Sequence, residues 1–397
     1  MANEWEHAFD YGKFGTFERI NDSGVATSSE FTLPPIKIGM VQDWGIGIKP
    51  VHEQYDATVL AFEEAFDRGL IPAPVELHLR EVDTQPFGSY HDAEQAWLEL
   101  ADMGCLAIIG PHTSQNVPTL SKVIDARRVP TIVQSESIKP ASEYTFVLPN
   151  GTFPDEAFYM ARTLTQKGAT TVGVIRERNA LGDEYWEYFS HFAPRVGLEI
   201  VIDRSLPGVF DQVQARAELA RLRAANVDSI AYMGDGHRGA ELFKAARDLE
   251  AEGWRPHRVT SSMFLGTIDG LGHGFSLEQF EGWAGVDQYD ERNPVFTDLL
   301  DRYEKRFGSR PVHCYVAQGY DLGNVIAEAL AIVGTFTPEA VHDALERIRM
   351  LPAATGGPGN VIGFGPHDHR GYKGQYVVMR EIKDGKNIPV FPPVFTG

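Results

Sequence analysis

The chain has 397 residues, 43% of them hydrophobic and 23% charged, with 39 glycines and 24 prolines; this balance excludes disordered and fibrous classes and leaves room for two or three domains. Its 36 basic and 55 acidic side chains leave a net charge of −19, which repels nucleic acid and anionic membranes, so no nucleic-acid partner is expected. No run of about 18 apolar residues offers a transmembrane helix, and the two cysteines, Cys105 and Cys314, read as buried thiols with a single disulfide left open.

Residues 1–35 read as a polar extension whose rings, Trp5, Phe9, Tyr11, Phe14 and Phe17, dock on the body. They hold no basic stretch followed by an apolar one, so they do not read as an export signal. From residue 36 onward, short apolar runs alternate with stretches of helical period. The apolar runs predict strands at 36–41, 75–83, 105–110, 129–133, 145–149, 170–175, 199–206, 229–234, 258–263 and 282–286. Helices are predicted at 53–69, 92–104, 153–168, 182–197, 212–226 and 238–253, most of them stopping at Gly or Asn. Continuous apolar strands alternating with helices imply an α/β fold with parallel sheets covered on both faces, built as two sheets in series. After Val286 come helices without strands of their own, which must return to cover the first sheet; a Gly/Pro loop at 355–371 and a last strand in QYVVMREIKDG follow.

Open parallel sheets bind ligands beyond the carboxyl ends of their strands. After the first strand, QDWGIGIKP lacks the third glycine of a dinucleotide fingerprint, and Trp44 reads either as a loop anchor or as a ring against a ligand. After the third, GPHTSQNVPT (110–119) has neither a phosphate-loop lysine nor a GxSxG elbow. What remains is Thr113 or Ser114 as the N-cap of a helix, Gln115 beside it, Pro118 in the first turn, and a helix N-terminus open to a carboxylate. After the fourth strand, Gln134, Ser135, Glu136 and Ser137 face the same crevice. Further along, Arg176 or Arg178 offers a cation, GDGHRG offers Asp235 and His237, and Met263 and Phe264 offer apolar wall. His367 and His369 in PHDHRG have no third ligand near them in sequence, so neither a metal nor a cofactor is expected. No histidine is placed beside Ser114 by the sequence, which leaves catalysis without support.

The segments IKIGMV, DAEQAWLELADMGCLAIIGPHTSQ, VPTIVQSES, TTVGVIRERNALGDEYWEYF, DSIAYMGDGHRGAELFKAARDLE, PVHCYVAQGYDLGNVIAEAL and FGPHDHRG, in that order over residues 36–390, resemble a type I periplasmic binding protein. The branch most resembled is the one for branched-chain amino acids and amides. The resemblance implies two doubly wound α/β lobes joined by three hinge crossings, residues 36–150 with 286–356 in one and 151–285 with 357–397 in the other. It further implies that Ser114, Ser135, Glu136 and Ser137 receive a ligand's carboxylate. Leu181 stands where the family commonly has a tyrosine, and Ser262 or Met263 where it has an acid for the ligand's ammonium. An aromatic or aliphatic carboxylate, or an amide, therefore suits Trp44, Leu181, Met263 and Phe264 better than a plain α-amino acid, with Asp235 and His237 across the cleft. The function implied is that of the substrate-binding component of an ABC-type uptake system, partnered by a permease and not an enzyme. The alternatives are a cytoplasmic ligand sensor on the same scaffold and, last, a hydrolase using Ser114. The resemblance points to the periplasm and the N-terminal reading to the cytoplasm.

Overall fold

The computed structural model describes residues 33–84, 89–139, 142–234, 239–261 and 277–390, together with the backbone of a short antiparallel ladder, β1 (Arg19–Ile20) and β2 (Ala26–Thr27). The expected site residues Asp235, His237 and Phe264, with Ser262 and Met263, lie outside the described residues.

The apolar runs of the first third form β3 (Ile36–Gln42), β4 (Val75–Glu81), β5 (Ile108–Ile109), β6 (Thr131–Val133) and β7 (Thr145–Val147), in the order β4-β3-β5-β6-β7. Every pairing in this sheet is parallel. The connecting helices are α1 (Lys49–Asp67), α2 (Tyr90–Asp102) and α3 (Val117–Arg127). Ile38 and Met40 pack into one apolar cluster and Val41 into another, so both faces of the central strand are covered.

The second sheet has the order β16-β15-β12-β11-β10-β8-β9. Its parallel part is β8 (Thr171–Glu177), β9 (Glu199–Leu206), β10 (Ser229–Met233), β11 (His257–Thr260) and β12 (Trp283–Asp287), linked by α5 (Ala180–Phe192), α6 (Gln212–Ala224) and α7 (Ala240–Ala251) and preceded by α4 (Phe153–Gln166). The late strands β15 (Val378–Lys383) and β16 (Lys386–Pro389) add antiparallel at one edge. Left-handed residues end helices where Gly or Asn was expected, as at Gly168 and Asn226.

Three helices, α8 (Pro294–Phe307), α9 (Cys314–Ile332) and α10 (Pro338–Leu345), then return to the first sheet. Leu322, Val325 and Ile326 of α9 join the cluster of Ile38 and Met40. The approach to α1 is close enough that a Cβ on Gly319 would run into the carbonyl of Gln54, and the Thr58 hydroxyl donates to Gly319 O at 2.9 Å. Only glycine fits there.

Beyond α10, a small ladder of β13 (Leu351–Pro352) and β14 (Val361–Ile362) opens the Gly/Pro-rich loop. Ile362, Phe364 and Tyr372 bury themselves in the first sheet's core. The loop also covers the edge of β7: Val147 N donates to His369 O and Gly371 N to Val147 O, both at 2.8 Å. Asp321 of α9 ties it down by accepting from Ala354 N at 2.7 Å, Thr355 N at 3.0 Å and the Tyr372 hydroxyl at 3.1 Å. Cys105 and Cys314 are buried free thiols in separate clusters, which closes the disulfide option.

Candidate functional site

Neighbouring parallel strands β3, β5 and β6 bring three loops together beyond their carboxyl ends. Gly110, just after β5, has φ of 91°, and a Cβ there would strike the carbonyl of Val41; the chain can only pass this close to β3 without a side chain. The next residues therefore fold onto Asp43, which is fully buried just past β3. Its carboxylate accepts from His112 N at 2.7 Å, Thr113 N at 3.0 Å and Asn116 Nδ2 at 2.5 Å.

This corrects two expectations. The helix starts at Val117 with Asn116 at its N-cap, not Thr113 or Ser114, and the Asn116 side chain reaches back to Asp43 instead of capping. Part of the N–H array expected to greet an external carboxylate is also committed to this internal one. Sequence reasoning passed over Asp43, because its partners lie 69 to 73 residues downstream.

The loops after β5 and β6 are joined by a hydrogen bond, in which Ser114 Oγ accepts from Glu136 N at 3.0 Å. Thr113 and Ser135 are 7% and 0% exposed, and among the described residues neither hydroxyl has a hydrogen-bond partner. A buried hydroxyl left unpaired costs on the order of 1–3 kcal/mol, so each is a position where a polar guest would repay the cost. Glu136 is buried and its carbonyl accepts from Phe153 N at 3.4 Å, whereas Gln115 is exposed.

Ser137 works outward from the crevice. Its Oγ donates to Glu184 Oε1 of α5 at 2.9 Å, and Lys139 Nζ lies 3.6 Å from the same carboxylate, so this contact bridges the two sheets' halves. Leu181 is buried in the second core with Tyr185 and Phe153. Arg176 is committed to Asp203 at 3.2 Å and to Asp183, which is the surface ion-pair role; Arg178 reaches Ser205.

Trp44 is 8% exposed and packs as an anchor, with His112 stacked on it at 5.4 Å and Tyr315 tilted against it at 5.6 Å. Behind this stack runs a chain of amides. Gln42 Nε2 donates to Gln54 Oε1 at 2.6 Å, Gln54 Nε2 to Gln134 Oε1 at 3.0 Å, Gln134 Nε2 to Gln318 Oε1 at 3.1 Å, and Gln318 Nε2 to Gln288 Oε1 at 2.5 Å. Gln288 Nε2 ends the chain on the Pro149 carbonyl at 2.9 Å. A carbonyl can only accept, so this last bond fixes the direction of every amide before it. Gln134 Oε1 must then accept from His112 Nδ1 at 3.1 Å, leaving His112 Nε2 to accept from Asn150 Nδ2 at 3.1 Å. Burial pushes the His112 imidazole below its usual value of 6.5 despite Asp43 nearby. With both ring nitrogens bound to amides, His112 has none left to take a proton from Ser114.

The loop carrying Trp44 is pinned from its other end. His52 Nε2 lies 2.8 Å from Glu81 Oε1, which also accepts from Gly47 N at 3.2 Å. The Glu81 hydrogen bond raises the His52 value above 6.5 against the opposing effect of burial. Burial alone would raise Glu81, but the bonds from His52 and Gly47 outweigh it and hold the carboxyl below 4.5. A raised histidine contributes stability that is complete below 6.5 and lost as pH climbs through its folded value; a lowered glutamate contributes stability lost as pH falls through its own. His52→Ala is therefore expected to show its largest pH-dependent loss, on the order of 1 kcal/mol, between about pH 4.5 and 6.5. That component should fade as pH rises through the raised His52 value, as urea denaturation of both proteins at each pH would measure.

The sequence matches the family described as periplasmic binding protein over residues 35–386. No curated protein matches it. Among solved structures, a type 1 periplasmic binding protein from Bordetella pertussis Tohama I is 23% identical with a TM-score of 0.73, covering 90% of this chain and 100% of its own. A leucine-binding protein, LivK, from Thermotoga maritima is 20% identical with a TM-score of 0.71, covering 90% and 98%. The branched-chain amino acid transporter substrate-binding protein LivJ from Streptococcus pneumoniae, in complex with isoleucine, is 17% identical with a TM-score of 0.73, covering 90% and 100%.

Proposed function

The chain belongs to the periplasmic binding protein family, and from that premise we propose that it is a non-catalytic solute-binding protein that closes on a small carboxylate-bearing or amide ligand and delivers it to an ABC-type permease. The observation that carries this reading is the pair of buried, unpartnered hydroxyls, Thr113 and Ser135, set where two adjacent strand ends converge. They supply donors without a net charge, which suits a carboxylate or amide end, while Ser114 holds the two loops in register. Leucine and isoleucine, bound by the Thermotoga and Streptococcus proteins, head the ligands to test.

In this reading the lobes are residues 36–150 with 288–372, and 151–287 with 376–390. The third crossing moves from 357 to about 373–376, because Ile362, Phe364 and Tyr372 pack with the first core. Closure needs contacts made to both lobes, since a ligand shifts an equilibrium only by its differential affinity for the two states. The Ser137–Glu184 bond is a protein contact of that kind.

Thr113→Val and Ser135→Ala are each expected to weaken ligand binding by about 1–3 kcal/mol, or roughly 5- to 150-fold, in calorimetric titrations. The ligand comes first from a thermal-shift screen of branched-chain amino acids, aromatic and aliphatic acids, and amides, where binding raises the melting temperature by mass action. Full affinity retained in both variants would remove the hydroxyl crevice from the account.

A further inference from the structure

We propose that His342, Glu346 and His369 form a binding site for one divalent metal ion of the zinc class, at the amino end of β7, the opposite end from the hydroxyl crevice. Their ligand atoms lie within 4.8 Å of one another. His369 Nε2 is 3.2 Å and His342 Nε2 3.8 Å from Glu346 Oε1. Two ligands of one tetrahedral zinc, each about 2.0–2.2 Å from the ion, lie roughly 3.3 Å apart. Two edges of the triangle are thus close to that spacing, and the third closes by small side-chain shifts.

The surroundings aim the rings. His369 Nδ1 faces the carbonyls of Ser142 at 3.0 Å and Thr145 at 3.2 Å, and His342 Nδ1 faces Asp343 Oδ1 at 3.0 Å. A histidine whose Nδ1–H is held by a carbonyl or carboxylate presents a basic Nε2, the arrangement that orients metal-bound imidazoles. Both Nε2 atoms then look toward oxygen acceptors, Glu346 Oε1 for one and also the Glu143 carbonyl, at 3.0 Å, for the other. A neutral imidazole donates from only one nitrogen, so each ring sets one lone pair against an oxygen acceptor, a repulsion that either a second ring proton or a bound metal cation removes. The rings are also fixed by packing, His369 stacked on Phe146 at 4.1 Å and His342 on Tyr144 at 4.4 Å. The histidine side chains are 8% and 9% exposed and Glu346 is 20% exposed, which leaves an edge for entry. The absent third ligand that argued against a metal at His369 is supplied by α10 and its end, 23 and more residues upstream.

The test is calorimetric titration of chelator-stripped protein with zinc chloride, paired with melting curves. One equivalent is expected to bind with micromolar or tighter affinity and to raise the melting temperature. Glu346→Gln and His369→Ala should each weaken that binding by tenfold or more, while His367→Ala, at an exposed position two residues away, should leave it unchanged. Should His369→Ala fold poorly through loss of its stack on Phe146, Glu346→Gln keeps the volume and gives the answer alone. Cobalt substitution adds an optical readout, with the visible absorption of a tetrahedral ion expected in wild type and lost in Glu346→Gln. Absence of zinc binding, or zinc binding undiminished in Glu346→Gln, would overturn the site.

Discussion

Asp43→Ala is expected to destabilise the protein by about 2–4 kcal/mol, since each buried donor left without its acceptor costs about 1–3 kcal/mol. The carboxylate is fully buried and receives His112 N, Thr113 N and Asn116 Nδ2. Alanine leaves His112 N and Thr113 N buried without an acceptor, while Asn116 Nδ2 keeps only Thr84 Oγ1, at 3.0 Å. Asp43→Asn is the sharper variant. Its oxygen can still take the two backbone N–H groups, but its amide would meet the Asn116 amide donor to donor, so a smaller loss of about 1–3 kcal/mol is expected. Because the same loop carries Thr113 and Ser114, ligand affinity should fall in both variants even at temperatures where they are fully folded. Chemical denaturation gives the stability and calorimetry the affinity. A loss below about 1 kcal/mol for Asp43→Ala would mean that the loop is held from elsewhere.

The fold was legible because each strand is an apolar run bounded by turn residues and each helix keeps its own period, so IKIGMV and SIAYMG could be placed to within a residue or two. The return of α9 to the first sheet was legible for a different reason: a helix as apolar as residues 314–332 needs a sheet to cover, and no later run supplied one. The placement of Thr113, Ser114 and Ser135 just past β5 and β6 was legible. Their wiring was not. Local capping preference pointed to Ser114 as the helix start, but tertiary demand from Asp43 drew the preceding turn inward and moved the N-cap to Asn116. The loop at 355–371 reads as a linker in sequence because it is rich in Gly and Pro, whereas Phe364 and Tyr372 pack in the first sheet's core.

Gln318→Leu is the second large effect expected, and it tests whether the buried amides act as one network. Gln318 is 2% exposed, accepts from Gln134 Nε2 and donates to Gln288 Oε1. Leucine fills nearly the same volume but orphans a donor on one side and an acceptor on the other, which should cost about 2–4 kcal/mol after the gain from apolar burial. Gln42 stands at the chain's other end, with its Oε1 already unpartnered, so Gln42→Met orphans only the Gln54 oxygen and should cost about 1 kcal/mol. The order matters more than either figure. Gln318 joins Gln134, the residue before Ser135, to Gln288, which follows β12 and bonds the Pro149 carbonyl. Cutting the middle therefore unties Gln134, next to Ser135, from Gln288, and on the proposed function the affinity should drop although Gln318 bonds neither Thr113 nor Ser135. The double variant Gln134→Leu/Gln318→Leu should lose less than the sum of its parts, because the second cut finds the chain already broken. Strict additivity, or equal costs at Gln42 and Gln318, would reduce the network to independent bonds.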